Sequence, residues 1–595
     1  MAESVWSPEA DLVTVEVSVN GTRIADSYLV SAIETEHTIN RVSEAIVSIA
    51  DGSRVNATFA ASSSDDFLPG ADIEVKAGYH AKNKTIFKGI ITGQILQTGS
   101  DGTSVLRVMC RDKSVRLTVM RNAAQYYDMS DSDIIRKILS EAGLDANVSS
   151  TDTSLPQQSR THATDWDFMM ARAEVNGHLV LVQNGKVTVS SPKFDSPPWR
   201  AEYGDTILDM ELALDATDQF GKVEAHAWDP KTQKTVTGNS SEPSLNAQGN
   251  MSGEKLALAI SNGTASLLSQ GAQTPEMLEN WANAQLLKSR LSRFRGRVTT
   301  PGNSGLEIGS QIELDGLGKK FNGNAYITGV RHLLSGDDWR SELQFGLPLR
   351  WFVDSKRDAS PALAASLRPG AAGLEIATVL KTNEDPEGER RIKVSLPLRA
   401  NGDQGVWVRI VSPYATNNAG IEFLPEVGDE VVLGFLNGDP DAAILLGSLH
   451  SSTRPAPIDP DEDNTIKTIV TRGQHKVSFD DDKKVITVET PGGHTLAMSD
   501  EGKSITITDS NSNEFELAEG GITMSSSKDI TITGDGSVKI TGAGGVDVSS
   551  SADISVKGAN VSVNANMGLT AEGSASADFS SSGVTSVKGT MVNIN

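Results

Sequence analysis

Apolar and polar residues alternate along most of this chain, the pattern of strands with one buried face. Val13, Val15, Val17 and Val19 alternate with polar neighbours and run into Asn20-Gly21, a hairpin turn. Segments 45–50 (ending at Asp51-Gly52), 73–77 (ending at Gly78), 86–96 and 105–110 continue the pattern, which predicts a small β-barrel or sandwich. Helical periodicity interrupts it. Ser130 or Ser132 caps a segment with an apolar face of Ile134, Ile135, Ile138 and Leu139, closed by Gly143. A second helix is expected over residues 165–175, with Gly177 as its stop. A third follows Thr274-Pro275 and carries Met277, Leu278, Trp281, Leu286, Leu287 and Leu291. Strands resume at 296–300, 311–314, 325–332 and 342–346.

Residues 229–275 hold few apolar side chains and much Asn, Ser and Gly, which predicts a long loop or insertion. Residues 356–373 have the Pro, Ala and Gly content of an interdomain linker. Five short strands then follow, at 374–380, 391–396, 406–411, 430–435 and 444–449, matching an OB-like barrel by count.

From residue 456 a polar repeat takes over, irregular at first (485–489, 505–508) and then with a period of eight. Its apolar pairs are Ile522/Met524, Ile530/Ile532, Val538/Ile540, Val546/Val548 and Ile554/Val556. Val561/Val563 follows after seven residues, then Leu569/Ala571, Ala577/Phe579 and Val592/Ile594. Two apolar residues flanking a small or polar one make a short strand with one buried face, so the repeat reads as a solenoid or fibre. Each strand can bury roughly 3–5 kcal/mol of apolar surface. Ordering its eight residues costs about 10 kcal/mol or more. Other chains must therefore help to close the core, most simply as a trimeric β-prism with those pairs, from Ile522 to Val563, inside.

Composition narrows the function. The 595-residue chain carries a net charge of −24, which argues against nucleic acid and against an anionic membrane surface. Cys110 is the single cysteine, so intrachain disulfides and CxxC metal sites are excluded, as suits assembly in a reducing cytosol. The start, Met1-Ala2-Glu3-Ser4, shows no secretory signal, and no apolar run of 18 residues occurs. Synthesis in the cytoplasm is expected, with export by another machine.

Candidate chemistry is sparse. The nine histidines include no pair at metal-ligand spacing. His162 and His178 read as packing or hydrogen-bonding residues, and Asp165 and Asp167 as carboxylates favoured at a helix start. No GxSxG elbow, Walker loop or Cys/His pairing is present, and Cys110 reads as an inert buried thiol. The glycines of Gly534-Asp535-Gly536 and Gly542–Asp547 suggest calcium-binding β-roll repeats, but they do not keep phase. No catalytic residue, cofactor or metal site is expected; an ion on the axis of a trimer stays open.

The run GIEFLPEVGDEVVLGFLNGDP from Gly420 to Pro440, continuing to Gly447-Ser448-Leu449-His450, resembles the barrel signature of valine-glycine-repeat (VgrG) spike proteins. These form the central spikes of contractile injection systems. The segment His162–Phe168, through Arg172 and Gly177-His178, is similar to the family's hub helix. Phe67-Leu68-Pro69-Gly70, Gly78-Tyr79 and Phe87-Lys88-Gly89-Ile90 match its first hub barrel; Phe321-Asn322-Gly323, Tyr326–Val330 and His332 match its second. The resemblance covers almost the whole chain. It implies a mainly β, non-enzymatic homotrimer: a two-barrel hub with a few helices (1–355), a linker (356–373), an OB-fold collar (374–455) and an intertwined triple-stranded β-helix needle (456–595).

By that resemblance the hub meets hexameric tail-tube rings and baseplate proteins. The blunt end at Val592, Ile594 and Asn595 binds a PAAR-type tip cap, and the target membrane is met transiently on firing. The stretch 13–51 is closer to spikes of phage-like extracellular particles than to type VI versions. Two alternatives remain: a trimeric tailspike enzyme acting on surface polysaccharide, and a calcium-dependent β-roll protein. Against the first, the octads hold one aromatic residue, Phe579, and no carboxylate pair at a repeated spacing.

Overall fold

The computed structural model describes residues 2–6, 12–195, 197–260, 262–336, 338–356, 362–397 and 404–594. Part of the expected linker, residues 357–361, and Asn595, one of the residues expected to bind a cap, lie outside that set. The chain divides into two units, Met1–Leu449 and His450–Asn595.

In the first unit the alternation does what it predicts. Strand Glu44–Ala50 buries Ala45, Val47 and Ile49 and turns its other residues outward. Fourteen strands between Glu3 and Phe345 join into one continuous sheet that wraps two cores. One core gathers Val47, Ile49, Phe67, Phe87 and Leu106; the other gathers Ile312, Ile327, Leu343 and Phe345. Strands Val30–Thr38 and Gly323–Ser335 join the two by antiparallel pairing, with Gly329 opposite Thr38 and Ser335 opposite Ala32. At the second core Gly296 (φ +141°) lies so close to its neighbour that a Cβ would meet the Glu211 carbonyl oxygen at 2.0 Å. Gly296→Ala is therefore expected to destabilise this unit by about 1–3 kcal/mol, read as a lowered melting temperature.

The seam between the cores holds two buried histidines. His37 Nε2 donates to the Ile86 carbonyl at 2.8 Å, and His332 Nδ1 lies 2.9 Å from the Ser341 hydroxyl. Burial, and then the proximity of His37, holds His332 down to about 3. An unfolded chain takes up that proton near pH 6.5, the ordinary histidine value. Between those two values the unfolded state binds more protons, so stability falls as the pH falls. Melting temperatures measured from pH 7 to 4 should decline, and His332→Gln should flatten the decline; an unchanged slope in the variant would refute the assignment.

Helices sit where their caps place them. Ser130, Thr164 and Thr274 accept from the backbone N–H three residues on, opening helices Asp131–Glu141, Asp165–Val175 and Pro275–Ser292. The first two pack with strands Leu179–Gln183 and Lys186–Ser190 around a third core.

The region 229–275 departs from the expected loop. It contributes strand Lys234–Asn239, helix Gly253–Ile260 and strand Thr264–Ser269. Both strands pair with Lys222–Asp229, and the helix Pro275–Ser292 covers the sheet. Small residues permit this close fit. A Cβ on Gly238 would meet Glu279 N at 2.4 Å, so the strand lies almost against the helix backbone.

A closed five-stranded barrel ends the unit, in the order Leu374–Lys381, Ile392–Ser395, Val406–Ile410, Ala443–Ser448, Glu430–Phe435. Val379, Val394, Val408, Val431, Leu433 and Leu445 fill it. Asn437 (φ 52°) and Gly438 (φ 64°) make the left-handed turn between its last two strands in sequence.

Candidate functional site

The second unit opens as an antiparallel meander of seven five-residue strands, from Ile466–Val470 to Gly521–Ser525. This differs from a repeat of eight throughout: strands begin at residues 466, 476, 485, 495, 504, 514 and 521. A hairpin of two strands and two turns needs about 19 residues, and the turns follow that spacing. Thr471, Thr490 and Asp509 each accept from the N–H four residues on, that of His475, His494 and Asn513.

The pairing register builds two columns. Ile469, Val477, Val488, Leu496, Ile507, Phe515 and Met524 stand opposite one another in unbroken succession. Two residues away in each strand run Lys467, Phe479, Ile486, Met498, Ile505, Leu517 and Ile522. Both columns share one face of the sheet, while Thr468, Ser478, Thr487, Ala497, Thr506, Glu516 and Thr523 form the centre of the other. None of the five buried cores includes any of these residues.

Beyond Ser525 the backbone stays extended and bends at 527–528, 535–536, 543–544, 551–552 and 559–560, then, after one step of seven, at 566–567, 574–575 and 582–583. The bends fall between the apolar pairs at the spacing the sequence predicts. Among the described residues, no strand pairing and no backbone–backbone hydrogen bond joins one of these segments to another. Ile530, Ile532, Val538, Ile540, Val546, Val548, Ile554, Val556, Val561 and Val563 are 52–73% exposed in the single chain. Ile522 and Met524 enter the meander opposite Leu517 and Phe515 and are exposed as well. Val592 and Ile594 are exposed near the end.

The residues considered for chemistry do not converge. Asp165 pairs with Arg160, Asp167 with Lys356 at 2.6 Å, and His178 is buried, which lowers its proton affinity. His162 lies in strand Ser154–Thr164, away from His178 in strand terms and at a positive φ. Burial pushes the Cys110 thiol up to about 12. A crevice of about 720 Å³ is lined in part by Glu174, His178, Lys288 and Arg297. There Glu174 is taken up by Lys288 and by the Phe352 N–H at 2.7 Å. Among the described residues no group of three His, Cys, Asp or Glu is placed to hold a metal ion, and no helix is long and apolar enough to cross a membrane.

Comparison with known proteins fits the order of these parts. The family model of the Alg8 N-terminal domain matches residues 9–336, and that of the type VI secretion system/phage-baseplate injector OB domain matches 376–450. The chain belongs to the Alg8 N-terminal domain family and, with the injector OB domain behind it, is VgrG-like. Over 120 residues it is 33% identical to the type VI secretion system spike protein VgrG3 of Vibrio cholerae, 18% of this chain and 11% of that protein. The actin cross-linking toxin VgrG1 of the same species is 32% identical over 120 residues, 18% and 10% of the two chains. The chain thus matches about a tenth of the length of these curated relatives. Among solved structures, the 43 kDa tail protein of prophage MuSo2 from Shewanella oneidensis is 11% identical with a TM-score of 0.45, covering 57% of this chain and 98% of that one. The c3393 protein of E. coli is 15% identical with a TM-score of 0.37, covering 73% and 100%. At these values the two structures add nothing to the family assignment.

Proposed function

We propose that this chain is the central spike of a contractile injection system, a homotrimer whose hub sits on the tail tube and whose C-terminal rod pierces a target envelope. One observation carries the reading. From Val477 to Ile594 the chain carries apolar pairs that are exposed or half-buried, and beyond Ser525 no backbone–backbone hydrogen bond is formed within the chain among the described residues. Such a strand does not persist alone in water. Three copies wound about an axis would hide the pairs and hydrogen-bond the strands to one another. Roughly 4.8 Å per strand layer then gives a stiff, mostly polar rod. Force from sheath contraction would pass along it, a mechanical role without a catalytic step. Tube rings and baseplate proteins would meet the hub, and a PAAR-type cap would cover the strand edges left open at the far end.

The test is the mass of the purified full chain in solution. Three copies of the 63.1 kDa chain give about 190 kDa. A stable 63 kDa particle with a protease-resistant rod would sink the proposal. For the tip, deleting residues 590–595 should leave the trimer intact and abolish co-purification of the cap; trimers that still retain the cap would place its site elsewhere.

A further inference from the structure

Two arginines at the end of the helix Pro275–Ser292, Arg290 and Arg293, are buried, 1% and 8% exposed. Arg290 is neutralised. Its Nε and Nη2 donate to the two carboxylate oxygens of Glu242 at 2.7 and 2.8 Å, and its Nη1 to the Phe220 carbonyl at 2.9 Å. Arg293 has no such partner. Its Nη1 and Nη2 reach only the carbonyls of Met251 and Gln248, at 3.3 and 3.5 Å. Among the described residues no carboxylate forms an ion pair with it. Two buried cations thus share one anion, and buried charge is ordinarily compensated. Burial, reinforced by the charge of Arg290, weakens the hold of Arg293 on its proton.

Beside this pair lies a cavity of about 20 Å³, lined by Asn246, Gln248, Arg290 and Arg293 together with Phe294 and Phe345. Gln248 is 7% exposed, and its Nε2 has no acceptor. Its Oε1 already receives the Asn246 Nδ2 at 3.2 Å. The cavity offers guanidinium N–H and amide N–H donors, beside the hydroxyls of Tyr326 and Thr328, which can also donate. A water molecule there could use those hydroxyls as acceptors but would leave the charge of Arg293 uncompensated, whereas an anion takes donors and supplies that charge. The volume admits one particle of about the size of water, too little for phosphate, sulfate or an organic carboxylate.

We propose that this cavity binds a single halide ion, chloride under ordinary conditions, between the Arg293 guanidinium and the Gln248 side-chain amide. The ion supplies the missing negative charge and ties the end of the helix to the segment around residue 248. The site is independent of the spike reading, since it needs only one chain. It makes the stability of the hub depend on chloride.

The full-length protein is melted at fixed ionic strength while sodium gluconate is replaced by sodium chloride from about 1 to about 300 mM. The midpoint should rise saturably, by on the order of 5 °C, and bromide should act alike. Gln248→Glu, which places a carboxylate beside Arg293, should melt at a midpoint independent of chloride. So should Arg293→Met, which removes the excess cation. A crystal grown in bromide should show one anomalous peak between Arg293 and Gln248. Equal midpoints in chloride and gluconate for the native chain would overturn the proposal. So would an equal chloride response in all three proteins, or a crystal with water only at that place.

Discussion

A chain carrying Ile530→Asp, Val538→Asp and Val546→Asp is expected to lose its rod. These residues open three successive octads and occupy one position in the repeat. In a three-chain prism each substitution brings three carboxylates to the axis, nine in all. A carboxylate moved from water into an apolar interior costs several kcal/mol, and neighbours of like charge add to that. Each strand has only roughly 3–5 kcal/mol of apolar burial with which to oppose it. Residues beyond Ser525 should become cleavable by a nonspecific protease that leaves the native rod uncut. Placing the same three carboxylates on outward polar positions, Thr533, Thr541 and Ser549, should leave the rod protected. A rod that resists digestion with all three inner aspartates would place the apolar pairs outside the assembly and overturn the trimer.

Asp131→Ala is expected to be the most damaging single change in the first unit. Asp131 begins the helix Asp131–Glu141 and is buried, with all its acceptor capacity used. Arg172 Nε and Nη2 donate to it at 2.7 and 2.9 Å, Gln158 Nε2 at 2.8 Å and Asn176 Nδ2 at 2.7 Å. Those donors come from strand Ser154–Thr164, from helix Asp165–Val175 and from the residue that caps it. Removing the carboxylate strands a largely buried guanidinium and two amides, a loss of about 3–5 kcal/mol. Burial alone would raise the Asp131 pKa, but the bonds from Arg172, its charge and the two amides bring it below the ordinary value. The carboxylate therefore stabilises the fold above about pH 4, and that contribution is lost as the pH falls through the lowered value. The melting-temperature gap between native protein and Asp131→Asn should be widest near neutrality and close in acid. A gap that does not change with pH would mean the network holds by shape and not by charge.

Features governed by local rules were legible in the sequence. The octads were, because a bend every eight residues follows directly from the spacing of apolar pairs. So were the helix starts at Ser130 and Thr274, because a capping side chain needs only its own first turn. The barrel strands from Leu374 to Ser448 were legible too, since each alternates around Val379, Val394, Val408, Leu433 and Leu445. What escaped was set by partners distant in sequence. Lys234–Asn239 reads as a loop because its close fit to a helix selects Gly and Thr over large apolar residues. The ribbon of Arg121–Ser130 with Ser154–Thr164 buries little, so no apolar period marks it. The meander hid behind steps that alternate between ten and nine up to residue 514 and then fall to seven, for which the recurring turns at Thr471, Thr490 and Asp509 were the available signal. Arg290, Arg293 and Asp131 carry no signature at all until the chain brings their neighbours to them.

The single step of seven, between the bends at 559–560 and 566–567, has a consequence for who can assemble with whom. In the proposed trimer such an irregularity would index the octad segment: sister chains would fit only when it falls at the same height in each. A variant lacking one octad upstream of it would still match its own copies, yet sit out of step with full-length siblings. Co-expressed, the two lengths should sort into separate pure populations if the proposed trimer forms.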